Sequence, residues 1–307
     1  MSEIKTGGVI LNPSCDNNCV FCGRIPKISD EKLKAQEIKV SKNLVQFRRQ
    51  SINYLEISGS DPIEYGKIVP LIRYAKRIGF NNIQLSTHGK RLADSSFLND
   101  LISSGITKLR IPIYGSNAKI HDSVTRSEGS FDAVVEGIKN LLEKSQNIAV
   151  QISCMVLQQN KDDLINIIDL VKELDIIDFY FSVPCFSNND SSYCLPFKKL
   201  GPYIKEVYDY AARINYPIRF MEIPFCVFGD ICYDDALTSI DNQCGPPDLG
   251  DNCQPPEKYK TSMKDIPSYR VKKKVGMCKD CKCMDFCDGF FVNDINKFGT
   301  GKLKPIN

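Results

Sequence analysis

Histidine is scarce: His88 and His121 are the only two in 307 residues, so thiolate and carboxylate carry most of the metal-binding chemistry this chain can offer. No stretch approaches the ~20 apolar residues that span a bilayer. The opening Met1-Ser-Glu-Ile-Lys-Thr-Gly-Gly has no signal-peptide core. Both absences point to a cytoplasmic protein, in which thiols stay reduced. Neither sign of charge dominates. Lys and Arg number 40 against 37 Asp and Glu, a net +3, which is too mild to argue for nucleic acid. Interleaved aromatic and basic residues that would track a single strand are also missing. No G-x-G-x-x-G follows the first apolar run, which argues against a dinucleotide-binding turn.

Cysteine is abundant. Fourteen are present, gathered at 15–22 and 226–287 with Cys154, Cys185 and Cys194 between. In a reducing compartment such clusters point to metal sites more than to disulfides. Cys15, Cys19 and Cys22 stand in Cys15-Asp-Asn-Asn-Cys19-Val-Phe-Cys22. Three thiolates at this spacing can surround one corner of an iron–sulfur cube and leave a fourth iron without a protein ligand. Thiolate softness favours iron–sulfur clusters, zinc or Cu(I). A structural zinc ion wants a fourth ligand close by, and neither histidine is near in sequence.

The middle of the chain alternates strands and helices. Short β-branched runs recur at Val9–Leu11, Tyr54–Ile57, Ile83–Leu85, Leu109–Tyr114, Ile148–Val156 and Phe179–Val183. Helical periodicity lies between them over Ile68–Ala75, Phe131–Leu142 with Ser130 as N-cap, and Asp162–Leu174. Six such units predict an α/β fold with a parallel sheet and right-handed crossovers. The site then belongs at the carboxyl ends of the strands, where the first cysteines begin.

With Phe21 just before its last cysteine, the first motif resembles the signature of radical S-adenosylmethionine (SAM) enzymes. That resemblance implies a partial (β/α)6 TIM-like barrel, a 4Fe–4S cluster on Cys15, Cys19 and Cys22, and SAM on the open iron. One-electron reduction would give a 5′-deoxyadenosyl radical that takes hydrogen from a substrate, with flavodoxin or ferredoxin as electron donor. Ser58-Gly59-Ser60-Asp61-Pro62 resembles the family's Gly-Gly-Glu-Pro element, whose backbone groups would hold the methionyl ammonium; Ser60 replaces a glycine and Asp61 is a methylene shorter than glutamate. By itself it would read as a plain turn. Ser86-Thr87-His88-Gly89 resembles the family's Thr-Asn-Gly, with His88 filling a turn. The block from Tyr114 to Phe131 resembles the segment after strand four. There Arg126 would contact the SAM carboxylate with help from Ser116, the alternative being an ion pair of Arg126 with Asp122 or Glu128. His121 and Asp122 would shape that loop. Gln151 and Ser153 are candidate ribose contacts.

The C-terminal run Cys278-Lys-Asp-Cys281-Lys-Cys283-Met-Asp-Phe-Cys287 resembles SPASM and twitch extensions, which bind auxiliary 4Fe–4S clusters. Phe291 stands where the full pattern has a further cysteine, so one auxiliary cluster is expected. Its ligands would be Cys278, Cys281, Cys287 and Cys226, with Cys244 and Cys253 competing for the fourth place. Cys283 and Cys185 would be spare thiols. The alternative is a zinc knuckle on the same residues. Tyr233–Lys264 reads as a long surface loop and Lys272–Lys274 as a solvated one.

The expected organisation is a radical SAM barrel over 1–217 and an auxiliary iron–sulfur region over 218–307. The expected function is peptide or protein maturation, although strand-like residues begin so early that an N-terminal peptide-recognition domain is not expected. The alternatives are a radical SAM enzyme of small-molecule or cofactor biosynthesis, or a non-catalytic zinc or nucleic-acid-binding protein.

Overall fold

A computed structural model describes residues 6–22, 29–185, 191–229, 238–241, 271–285 and 287–306. The chain divides into two compact units, Met1–Ile113 with Asn117–Ile152, and Tyr114–Ser116 with Ser153–Asn307.

The first unit alternates β1 (Thr6–Leu11), α1 (Asp30–Arg49), β2 (Tyr54–Gly59), α2 (Ile68–Arg77), β3 (Asn82–Ser86), α3 (Ser95–Ile102), β4 (Lys108–Pro112), α4 (Ala118–Thr125), α5 (Ser130–Lys144) and β5 (Ala149–Met155), the last strand running into the second unit. Neighbouring strands β1 to β4 pair in parallel, as their helical crossovers require. Alternation sorts the side chains into two faces. Leu55, Ile57, Ile83, Leu85, Leu109 and Ile111 are fully buried on one. Glu56, Gln84 and Arg110 occupy the other, where Arg110 reaches Glu56 at 2.9 Å and Gln151 at 2.7 Å. The helices begin where local chemistry allows. Ser29 caps α1 by accepting from the Lys32 amide, and Asp30 and Glu31 sit in its first turn.

The N-terminus of α5 differs from expectation. Gly129, in the left-handed region, is the cap and Ser130 is the first helical residue. Asp122 takes over the capping: its carboxylate accepts from the amides of Gly129 and Phe131 and from Ser130 Oγ, at 2.8–2.9 Å. A carboxylate outcompetes a neutral hydroxyl for those amides.

The second unit carries α6 (Leu164–Glu173), β6 (Asp178–Ser182), α7 (Phe197–Arg213), β7 (Ile218–Met221), β8 (Thr238–Asp241), a short antiparallel pair β9 (Lys272–Lys273) and β10 (Phe290–Phe291), and α8 (Val292–Phe298). Strand order follows chain order from β1 to β8, the open α/β arrangement of a partial barrel. Two strands exceed the six expected. β7 pairs in parallel with β6 and with β8, so part of the expected loop at Tyr233–Lys264 is strand. Much of that loop, with Cys244 and Cys253, lies outside the described residues. Lys272 and Lys273 are also not loop: they pair with Phe291 and Phe290, and the Lys272 ammonium lies 5.0 Å from the Phe291 ring centre.

Candidate functional site

The first cysteine loop leaves the end of β1 and is anchored at both ends. Asn12 ties its start to the end of β2, accepting from the Ser60 amide at 2.9 Å. Gly59 makes this junction possible, since a Cβ there would sit 1.7 Å from the Leu11 carbonyl oxygen. Further on, the amides of Asn18 and Val20 donate to the carbonyls of Thr125 and Val124 at 2.8 and 2.9 Å. The loop is therefore fastened to the last turn of α4, beside Arg126. Arg126 itself adopts φ 50°, a left-handed conformation uncommon outside glycine. Its guanidinium is exposed and makes no ion pair among the described residues, so the expected alternative with Asp122 or Glu128 is not formed.

Cys15 and Cys22 are exposed and Cys19 is half-buried. Burial pushes the Cys19 thiol up to about 12, with Cys22 and Cys15 adding repulsion. Loading metal here must displace protons. Phe21 is half-buried in the same loop.

Facing this loop are the ends of β2 and β3. Asp61 is completely buried. Its Oδ2 lies 2.5 Å from His88 Nε2, which is also 2.8 Å from Asp16 Oδ1. Lys90 Nζ closes the group at 2.7 Å from Asp16 Oδ2. Burial disfavours charge on His88, but close contacts with Asp16, Asp61 and Cys15 outweigh it and raise the imidazole to about 11. The Lys90 amide points at Nδ1 from 3.3 Å and opposes a second ring proton; two carboxylates at closer range are the stronger influence. The His88 contact, ahead of burial and Lys90, holds the Asp16 carboxyl well below its ordinary value. Both Asp61 oxygens, His88 Nε2, Ser60 Oγ, Ser86 Oγ and Asn17 Oδ1 are buried polar atoms without a well-angled hydrogen bond among the described residues, so the Asp61–His88 contact is a close ion pair rather than an aligned hydrogen bond. Such atoms are uncommon in folded proteins, and each calls for a water, ion or ligand as partner. Together with three soft thiols they suit a 4Fe–4S cluster and the amino-acid end of SAM.

The other expected contacts are distributed differently. Ser58 is half-buried at the end of β2. Gln151 accepts from Arg110, within a Glu56–Arg110 network that sequence periodicity alone does not reveal. The alternation Lys108-Leu109-Arg110-Ile111 is the partial signal for it. Ser153 lies two residues along the same strand. Ser116 gives its hydroxyl and its amide to the two oxygens of Asp163, at 2.8 and 2.7 Å. His121 is buried edge-on to Phe131, and burial lowers it to about 4.

In the second unit Cys226, Cys278, Cys281 and Cys287 line one small pocket with Cys283, Met277, Met284 and Phe290. Burial raises Cys226 to about 12, and its electrostatic neighbours are Cys287, Cys278 and Cys281. The Val275 and Gly289 amides each point at a sulfur, Cys278 and Cys287, at 3.4 Å. Zn–S bonds of 2.3 Å in a tetrahedron would put sulfurs about 3.8 Å apart. Among the described residues, neither cysteine set forms a group within 4.8 Å; the groups that do are Cys15–Asp16–His88 and Asp61–Glu64–His88. No helix among the described residues is long and apolar enough to cross a membrane.

Comparison with known proteins agrees. A probable GTP 3′,8-cyclase of Saccharolobus islandicus is 22% identical over 173 residues, covering 55% of this chain and 53% of that protein. An AdoMet-dependent heme synthase of Methanosarcina barkeri is 26% identical over 190 residues, covering 61% and 53%. The chain thus spans about half the length of the curated relatives it matches. Among solved structures, Streptococcus suis SuiB bound to S-adenosylmethionine matches with TM-score 0.61 and 14% identity over 98% of this chain and 74% of that one; SuiB is also known bound to its precursor peptide SuiA. Residues 9–171 match the Radical SAM superfamily, whose members use a 4Fe–4S cluster and S-adenosylmethionine, and the chain belongs to that family.

Proposed function

We propose that this protein is a radical SAM enzyme of peptide or protein maturation. Its SAM barrel would cover residues 1–217 and its auxiliary cluster region 218–307. The observation that carries the reading is the cysteine loop fastened to the end of α4 beside Arg126, with the buried carboxylate of Asp61 short of hydrogen bonds at the end of β2. When bound, the cluster and SAM supply reductive cleavage to a 5′-deoxyadenosyl radical that takes a hydrogen atom from the substrate.

The chain's residues do the rest. Cys15, Cys19 and Cys22 hold three irons. Asp61 Oδ1 and the Ser58–Ser60 segment accept the methionyl ammonium. The Arg126 guanidinium, a planar fork, takes the methionyl carboxylate. Phe21, Gln151 and Ser153 flank the nucleoside, while Ser116 supports the segment before α4 through Asp163. Cys226, Cys278, Cys281 and Cys287 hold one auxiliary 4Fe–4S cluster, and the amides aimed at two of those sulfurs temper their negative charge.

The cysteine-rich tail and the SuiB–peptide complex favour a peptide substrate. A second reading, small-molecule or cofactor synthesis, is favoured by the cyclase and heme synthase relatives. Anaerobic reconstitution with iron and sulfide tests the shared chemistry. Two clusters predict about eight irons per chain and dithionite-dependent release of 5′-deoxyadenosine; stoichiometric zinc without SAM cleavage would refute it. A precursor-peptide gene beside this one, whose product is altered by the enzyme, would decide between the two substrates.

A further inference from the structure

Two departures from the family's motifs meet in one contact. Asp61 is short for its place and His88 is long for its own, and they touch at 2.5 Å between Oδ2 and Nε2. We propose that His88 is a positioning residue matched in length to Asp61: its ring holds one carboxylate oxygen so that the other faces the methionyl ammonium of SAM. This rests on the SAM reading given above.

Asp61 is buried without water contact, and a buried carboxylate needs a fixed partner to stay in one orientation. His88 is the charged neighbour on the Oδ2 side, itself only 9% exposed. Neither Asp61 oxygen nor His88 Nε2 completes a well-angled hydrogen bond among the described residues; the close approach is an ion-pair contact on the Oδ2 side, which leaves Oδ1 for another donor. The ring is in turn held from two sides. Asp16, the neighbour of Cys15, shares Nε2 at 2.8 Å, so one imidazole ties the cysteine loop to the end of β2. Behind it, the turn after β3 packs so closely on α5 that a Cβ on Gly137 would lie 2.8 Å from Leu92 Cβ and 2.9 Å from the Gly89 carbonyl. That backing limits how far the ring can retreat. A longer acid would overfill the space that His88 occupies, and a shorter side chain at 88 would leave Asp61 unheld. Changing both together should restore the fit.

The test is a double-mutant cycle on the reconstituted full chain with Asp61→Glu, His88→Asn and the double variant. SAM affinity is read from the change it makes in the electron paramagnetic resonance of the reduced cluster, with iron content measured alongside. Each single variant is expected to keep its iron and to bind SAM at least tenfold more weakly, and the double to return to within about threefold of the parent. Losses that multiply in the double, or a single variant that binds SAM like the parent, would overturn the pairing. If a single variant does not fold, a double that folds supports the pairing and a double that also fails contradicts it. A parent protein whose cluster signal ignores SAM would instead refute the SAM reading itself.

Discussion

The two cysteine sites differ in what surrounds the sulfur. At the first, three cysteines share a loop with no fourth thiol, and the facing strand ends present a buried carboxylate, hydroxyls and a histidine. At the second, five cysteines line a pocket with two methionines, two phenylalanines, a proline and Lys274. A three-thiolate site among unpartnered polar atoms is built to bind something more. Four thiolates in a largely apolar lining would complete the shell of the proposed auxiliary cluster, which would suit electron transfer or structure. The same residue type thus serves opposite purposes, and the surroundings decide which.

Breaking each site in turn is the sharpest use of this contrast. Cys19→Ala should abolish 5′-deoxyadenosine release, whereas Cys281→Ala should leave SAM cleavage intact and stop substrate turnover; chromatographic assay of both products checks it. Gly59→Ala should come next. Its Cβ would overlap the Leu11 carbonyl, so the ends of β1 and β2 must part, at a cost above about 4 kcal/mol, visible in denaturant melts and in lost iron. Arg126→Ala should remove about 1.5–3 kcal/mol of SAM binding, roughly 10–100-fold in affinity, by calorimetry on the reconstituted protein. Arg126→Lys should recover part of this, lacking the planar fork.

Smaller effects of opposite sign separate the two units. His121, held near 4 by burial against an ordinary 6.5, stays neutral in the fold while the unfolded chain takes up its proton. Its contribution is complete above pH 6.5 and is lost as pH falls toward 4, on the order of 3 kcal/mol. Asp294 is raised by burial from 3.8 to about 7, so its effect runs the other way: full below 3.8 and lost as pH rises through 7. Thermal melts of the metal-free protein should show His121→Gln flattening the acid limb and Asp294→Asn raising stability at pH 8.

Much of this was legible in the sequence because it is local. The cysteine spacing, the Gly59–Pro62 turn and the α5 periodicity each fit within a dozen residues. Asp122, expected to shape its loop, does so as the acceptor for the start of α5. β7 went unread because four residues between Pro217 and Glu222 are too few for a periodic signal. The role of His88 was hidden for a different reason. It joins residues 16, 61 and 88, and no window of sequence contains all three. As a turn filler it looked sufficient; as a ring between two carboxylates it is visible only when the strand ends are brought together.

The most direct measurement is the electron paramagnetic resonance spectrum of the anaerobically reconstituted, dithionite-reduced protein, recorded with and without SAM. The account predicts 4Fe–4S signals of which one responds to SAM, and loss of that one alone in Cys19→Ala. A spectrum that SAM leaves unchanged, in a protein loaded with iron at both sites, would contradict it.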